Sequence, residues 1–144
     1  MDIVVALHAA GALLVLIAGV AKIVRPTPTS ELLASLGLPA HRLVSVGIGL
    51  AEALLGAAAL AVGGPVTAAA TGVVYAAFAA VVVRAMRAGA ASCGCFGRVD
   101  APPSWIHVGG NTLFALVSFA AVAGSTPVEV MDGQPAGGIG FVVL

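Results

Sequence analysis

The chain has 144 residues, 60% of them apolar and only 8% charged, and its six basic and six acidic side chains cancel to a formal net charge of zero. A soluble domain carries roughly 45–50% apolar and about 25% charged residues. This composition therefore excludes a water-clad globule, and no nucleotide loop, hydrolase triad or nucleic-acid patch is visible in the sequence.

The apolar residues fall into four blocks: Ile3 to Val24, about Leu43 to Val62, about Val66 to Val83, and about Trp105 to Ala123. Each approaches or exceeds the roughly 17–25 residues that a helix rising about 1.5 Å per residue needs to cross hydrocarbon about 30 Å thick. The expected fold is all-α, a polytopic membrane protein built as a four-helix transmembrane bundle. A buried helix of a soluble protein is the alternative for any single block, but such helices are shorter and have amphipathic neighbours, which this sequence lacks.

The first block is not read as a cleaved signal peptide. It has no basic n-region, runs too long for an h-region, and is followed by Lys22 and Arg25 where a small-residue cleavage site would stand. Lys22 and Arg25 are expected to snorkel to the headgroups. His8, His41 and His107 read as packed or interfacial side chains. In the second block Glu52 is the only acid well inside a span. A charge at that depth costs on the order of 3 kcal/mol or more on insertion scales, so the carboxyl must be paired or hold its proton. Depth counting favours Tyr75 and Asn111 as its hydrogen-bond partners and a neutral acid at pH 7 unless Lys22 reaches it. Interhelical glue and a proton-relay or quinone-contact role both remain open for this residue.

Gly63-Gly64-Pro65 joins the second and third blocks as an antiparallel hairpin. Lipid gives helices no hydrophobic reason to associate, so small residues must let them approach. The spacings Gly49-Ala53-Ala57 and Gly72-Ala76-Ala80 suggest one such ridge on each helix. Trp105 stands where the fourth block enters the interface, as an anchoring ring should. Residues 1–124 are expected to form the membrane domain, and 125–144 either a packed extracytoplasmic tail or the start of a fifth span cut short.

Lys22, Arg25 and Arg42 flank the first connection and Arg84, Arg87 and Arg98 the third. With alternating spans these share a face, so the positive-inside rule puts both connections in the cytoplasm and both termini outside.

The chemistry-bearing element is Cys93-Gly94-Cys95-Phe96-Gly97, which holds both cysteines of the chain. Two thiols one residue apart can form a small-ring disulfide, bind a soft metal ion, or simply be small buried residues. Gly94 and Gly97 loosen the backbone enough for the sulfur atoms to approach. A disulfide there would be strained, which raises its reduction potential and makes it an exchanging group more than a staple. Arg98 favours the thiolate, the reactive form for exchange and for metal binding. Zinc wants four ligands, and the chain offers two thiols with His107 as the nearest imidazole. A two-thiolate site for monovalent copper or mercuric ion stays open.

Together, Gly19-Val20-Ala21-Lys22, the Leu36-Gly37-Leu38-Pro39 turn, Glu52, the Cys93–Gly97 element and Asn111 resemble the MauE methylamine-utilisation family, within the wider DoxX-like membrane proteins. The resemblance covers the chain up to about Gly124, and its Cys-Gly-Cys-Phe-Gly element is the specific part. It implies a DoxX-like four-helix bundle that helps mature extracytoplasmic proteins by forming their disulfides beside a thioredoxin-like partner. On that likeness Cys93 and Cys95 are the redox pair and Glu52 and Asn111 the polar interior; Phe96, Gly97 and Arg98 are the expected supporting residues of the pair, and Tyr75 joins the intramembrane polar set by its depth alone. The family often has a basic residue before the helix-four asparagine; Gly110 stands there, so an ion pair to Glu52 from that position is missing. No bound cofactor is expected beyond the cysteine pair, with a quinone or a soft metal as alternatives. The partners are membrane lipid and a thioredoxin-like protein or a larger membrane complex, in which the chain could also be a noncatalytic subunit. Inward-facing cysteines could not meet an extracytoplasmic substrate directly, so either electrons cross the bundle or the basic residues mislead.

Overall fold

Backbone immersed in hydrocarbon must satisfy its own hydrogen bonds, and a helix does so within one segment. The structure, a computed structural model, describes residues 2–90 and 102–123. Every element among them is a helix: α1 (Asp2–Val24), α2 (Thr27–Ser35), α3 (Arg42–Ala61), α4 (Pro65–Arg87) and α5 (Trp105–Ala121). Of these, α1, α3 and α4 are long and apolar enough to cross a bilayer. With 17 residues, α5 is shorter and lies at the lower limit of the roughly 17–25 that a span requires.

Side chains are distributed as a lipid solvent demands. Leu43, Leu54, Val66 and Ile106 point outward, each at least 70% exposed, whereas the interior is largely Ala, Gly, Ser and Thr with His8, Lys22 and Glu52 among them. The chain is thus a polytopic helical membrane protein.

Two helix pairs dominate the packing, α1 on α3 and α4 on α5, and α1 also lies against α5. The α3–α4 turn forms, with Gly63 and Gly64 at φ of 68° and 96°, yet the two helices it joins touch far less than either touches its main partner. The first pair is closed by missing side chains. A Cβ on Gly19 would run into the Ala53 nitrogen, and one on Gly49 would lie 2.7 Å from the Gly19 carbonyl oxygen. A Cβ on Gly56 would meet the Leu16 nitrogen at 2.6 Å and the Ala12 carbonyl oxygen at 2.7 Å. Helix backbones therefore touch along this seam, which maximises dispersion where burial gives nothing.

The expected ridges are corrected in register. On α3 the buried row is Ser45, Gly49, Glu52, Gly56 and Ala59, and Ala57 is exposed. On α4, Gly72 is buried under the Phe119 ring of α5 while Ala76 and Ala80 are exposed. A strict four-residue repeat drifts about 40° per step on a helix of 3.6 residues per turn, so it leaves the interface within two steps. Alternating steps of three and four follow the seam.

The first connection, read from sequence as a linker with a turn, contains α2. Pro28 starts it, and the left-handed Gly37 (φ 70°) ends it as Leu38 N–H donates to the Leu33 carbonyl and Gly37 N–H to the Ala34 carbonyl. Its Ser30 hydroxyl shares a 2.8 Å hydrogen bond with Ser45 of α3.

Candidate functional site: a polar seam and an aromatic cavity

The interior face of α1 carries Val5, His8, Ala12, Val15, Gly19 and Lys22 at alternating steps of three and four, all buried. One stripe thus brings two polar side chains into the bundle, near opposite ends of the helix.

Lys22 does not snorkel outward. Its Nζ donates to Glu52 Oε2 at 2.7 Å, with both side chains buried. Gly49 makes this geometry available, because a Cβ there would lie 2.9 Å from the Lys22 Cβ. The ammonium also stands 5.4 Å from the centroid of the Phe78 ring on α4, a cation–π contact that adds attraction where water is excluded. The intramembrane acid of α3 is therefore answered by a base from α1, the alternative named above to a neutral carboxyl.

Tyr75 is committed elsewhere. Its hydroxyl donates its single proton to the Gly11 carbonyl of α1 at 2.7 Å. The ring stacks on Phe114 of α5 at 5.1 Å and meets Phe78 edge-on at 5.8 Å. Gly11 allows this approach, since a Cβ there would lie 3.0 Å from the Phe114 ring. The three rings and Val15 form the apolar core where α1, α4 and α5 meet. Toward the opposite end of α1, His8 Nδ1 and the buried Ser118 hydroxyl of α5 lie 3.1 Å apart.

Asn111 does not join Glu52 either. It is half-buried on α5 and lines a cavity of about 220 Å³ between α1, α4 and α5, together with Ala18, Tyr75, Phe78, His107 and Phe114. The His107 Nδ1 is paired with the Ser104 hydroxyl at 2.9 Å. The polar residues predicted for the interior are thus divided between two places: Glu52 in an ion pair on the α1–α3 seam, and Tyr75 and Asn111 at the cavity. Sequence reasoning missed the cavity. Its one legible signal was the aromatic spacing Tyr75–Phe78 on α4, three residues apart and so on one helix face.

The two cysteines with Phe96, Gly97 and Arg98 lie outside the described residues, as does the stretch 125–144. The helices that bracket the cysteine segment, α4 and α5, are antiparallel and both line the cavity.

These features define an integral membrane protein with a compact helical bundle, a buried Lys–Glu pair and an aromatic-walled cavity. The family described as methylamine utilisation protein MauE matches residues 1–124, which include every described helix, and the chain belongs to that family. No curated protein and no solved structure matches it.

Proposed function

We propose that this MauE-family membrane protein performs thiol–disulfide exchange at Cys93 and Cys95 in support of the maturation of extracytoplasmic proteins. The observation that carries the reading is the pairing itself: the chain has only two cysteines, and they are one residue apart in Cys93-Gly94-Cys95-Phe96-Gly97. Two thiols that close can pass two electrons without a second centre, and the strain of their small ring keeps the disulfide exchangeable. Phe96, Gly97 and Arg98 complete the element, with Arg98 favouring the thiolate that attacks. The family's name, methylamine utilisation, supplies the setting, and a thioredoxin-like protein is the natural exchange partner. Glu52 with Lys22 serves this function by holding α1 against α3. Residues 1–124 are the working membrane unit in this reading.

The test is redox titration of the purified protein followed by thiol alkylation. A midpoint well above about −300 mV, together with loss of partner oxidation in Cys93→Ser, is the expected result. Full biological activity in the Cys93→Ser, Cys95→Ser double variant would sink the proposal and leave a noncatalytic subunit. Stoichiometric binding of monovalent copper that requires both thiols, without partner oxidation, would replace exchange by metal handling.

A further inference from the structure

At the end of the bundle that carries the arginines, an open cleft of about 780 Å³ lies between the end of α1, the start of α2 and the start of α3. Val24, Arg25, Thr27, Ser30 and Arg42 belong to its lining, and no carboxylate does. Its frame is held from two sides. The Ser30 hydroxyl donates to the Pro26 carbonyl at 3.1 Å and shares a 2.8 Å hydrogen bond with the Ser45 hydroxyl, which ties α2 to α3. The Lys22–Glu52 pair ties α1 to α3.

Two like charges reach this cleft from different helices. Arg25 follows the last residue of α1 and Arg42 is the first of α3; both side chains are exposed, and among the described residues neither guanidinium has an ion-pair or hydrogen-bond partner. Glu31, the only acid of α2, is not part of the lining, and Glu52 is committed to Lys22. The two cations therefore repel each other across one concave wall with no counter-charge from the described protein. The cleft lies where a membrane supplies one. The spans α1 and α3 end here, and Val24 and Leu43, 69% and 84% exposed beside the two arginines, mark the edge of the hydrocarbon. An anion between the guanidiniums thus sits at headgroup level, with apolar surface beneath it for an acyl chain. The planar fork of N–H donors on each arginine matches phosphate oxygens in pairs.

We propose that this cleft is a specific site for one anionic phospholipid, its phosphodiester held between Arg25 and Arg42, the Thr27 hydroxyl a further donor, and an acyl chain laid past Val24 and Leu43. Basic pockets between helices at the membrane surface collect acidic headgroups in this way. Selectivity follows from the lining. With no carboxylate there, the ammonium of phosphatidylethanolamine has nothing to meet and two arginines to repel it, whereas phosphatidylglycerol brings charge of one sign only. Free phosphate offers the same oxygens, but the position at the ends of two spans commits the site to lipid. The cleft is built by α1, α2 and α3 and owes nothing to the cysteines, so it stands apart from the exchange reading.

The test is native mass spectrometry of the full chain released from maltoside micelles and titrated with dioleoyl phosphatidylglycerol, with dioleoyl phosphatidylethanolamine and inorganic phosphate in separate arms. The expected result is saturable retention of one phosphatidylglycerol per chain, about tenfold tighter than phosphatidylethanolamine and undisturbed by millimolar phosphate. Arg25→Gln and Arg42→Gln should each weaken retention about fivefold, the weight of one basic residue near an anionic surface, with the unfolding midpoint unchanged because both side chains are exposed. Arg84→Gln and Arg87→Gln make the same charge change at the same end of the bundle but on α4, outside the cleft, and should leave retention as it is. Equal loss in the α4 variants would reveal a diffuse positive field and overturn the site. Equal retention of the two lipids by the wild-type chain, a comparison that depends on no variant, overturns it as well. Displacement by inorganic phosphate gives the cleft to a soluble anion and overturns the lipid assignment.

Discussion

At the scale of single residues, the Lys22–Glu52 pair is the most consequential contact in the bundle. Its N–O distance is 2.7 Å and both side chains are buried, so neither charge has water to fall back on if the other is removed. Breaking a buried pair from one side costs about 3–5 kcal/mol, whereas replacing both members with apolar groups of similar volume is often neutral or better. Lys22→Met and Glu52→Gln should each destabilise the protein by that order, read as a lower midpoint of thermal unfolding in detergent. The double variant Lys22→Met, Glu52→Leu should recover most of the loss. If both single variants unfold at the wild-type temperature, the pair is not holding α1 to α3. Tyr75→Phe is a milder change. It removes one hydrogen bond to the Gly11 carbonyl, worth about 1 kcal/mol, and keeps the stacked ring. The sequence exposed the problem posed by Glu52 but not its solution. An intramembrane acid announces itself through its cost, whereas Lys22, two residues from the end of α1, reads equally well as a snorkelling cation. Only the register of α1 against α3, set by glycines on both, turns it inward.

At the scale of elements, the seam between α1 and α3 depends on what is absent from it. The backbone around Gly19, Gly49 and Gly56 already sits where a Cβ would go, and backbone cannot rotate aside as a side-chain tip can. Gly19→Val and Gly56→Val should therefore separate the helices, lower the unfolding midpoint sharply and weaken the Lys22–Glu52 contact. Gly47→Ala and Gly109→Ala are the matched controls, because an added Cβ at either meets nothing within 4 Å. They remove a flexible residue from a helix interior and should stabilise by up to about 1 kcal/mol. Equal loss in both sets would show that the effect is not one of close approach. Block length alone gave α1, α3 and α4 to within a few residues, because the bilayer fixes how long an apolar run must be. The pairing of helices was not legible in the same way. Adjacency in sequence suggested α3 with α4, but the glycines of α3 answer those of α1, and Gly72 of α4 receives Phe119 of α5. Such matches are relations between two segments, and composition along one segment does not contain them. The helix α2 was missed because its nine residues carry too little apolar signal to stand out, although its proline start and glycine stop were in view.

At the scale of the whole molecule, the helices alternate so that Arg25 and Arg42 lie at the same end of the bundle as Arg84 and Arg87, while the Gly63–Gly64 turn between α3 and α4 lies at the other. A cluster of arginines at one end is the arrangement that the cytoplasmic retention of positive charge selects, so the sequence-based orientation becomes a claim about two ends of one body. In a Cys93→Ser, Cys95→Ser background, a single cysteine introduced at Val62, which is 72% exposed beside the turn, should react with a membrane-impermeant maleimide in intact cells. A single cysteine introduced at Ala88, just beyond α4, should react only after the cells are opened. The native cysteines follow Ala88 by only a few residues, so in the wild-type chain they should behave as Ala88→Cys does. The reverse pattern would turn the molecule over, put the arginine-rich end outside, and let Cys93 and Cys95 meet an extracytoplasmic substrate directly. Under the expected orientation, an exchange partner of these thiols in the proposed function would have to be reached from the cytoplasmic side.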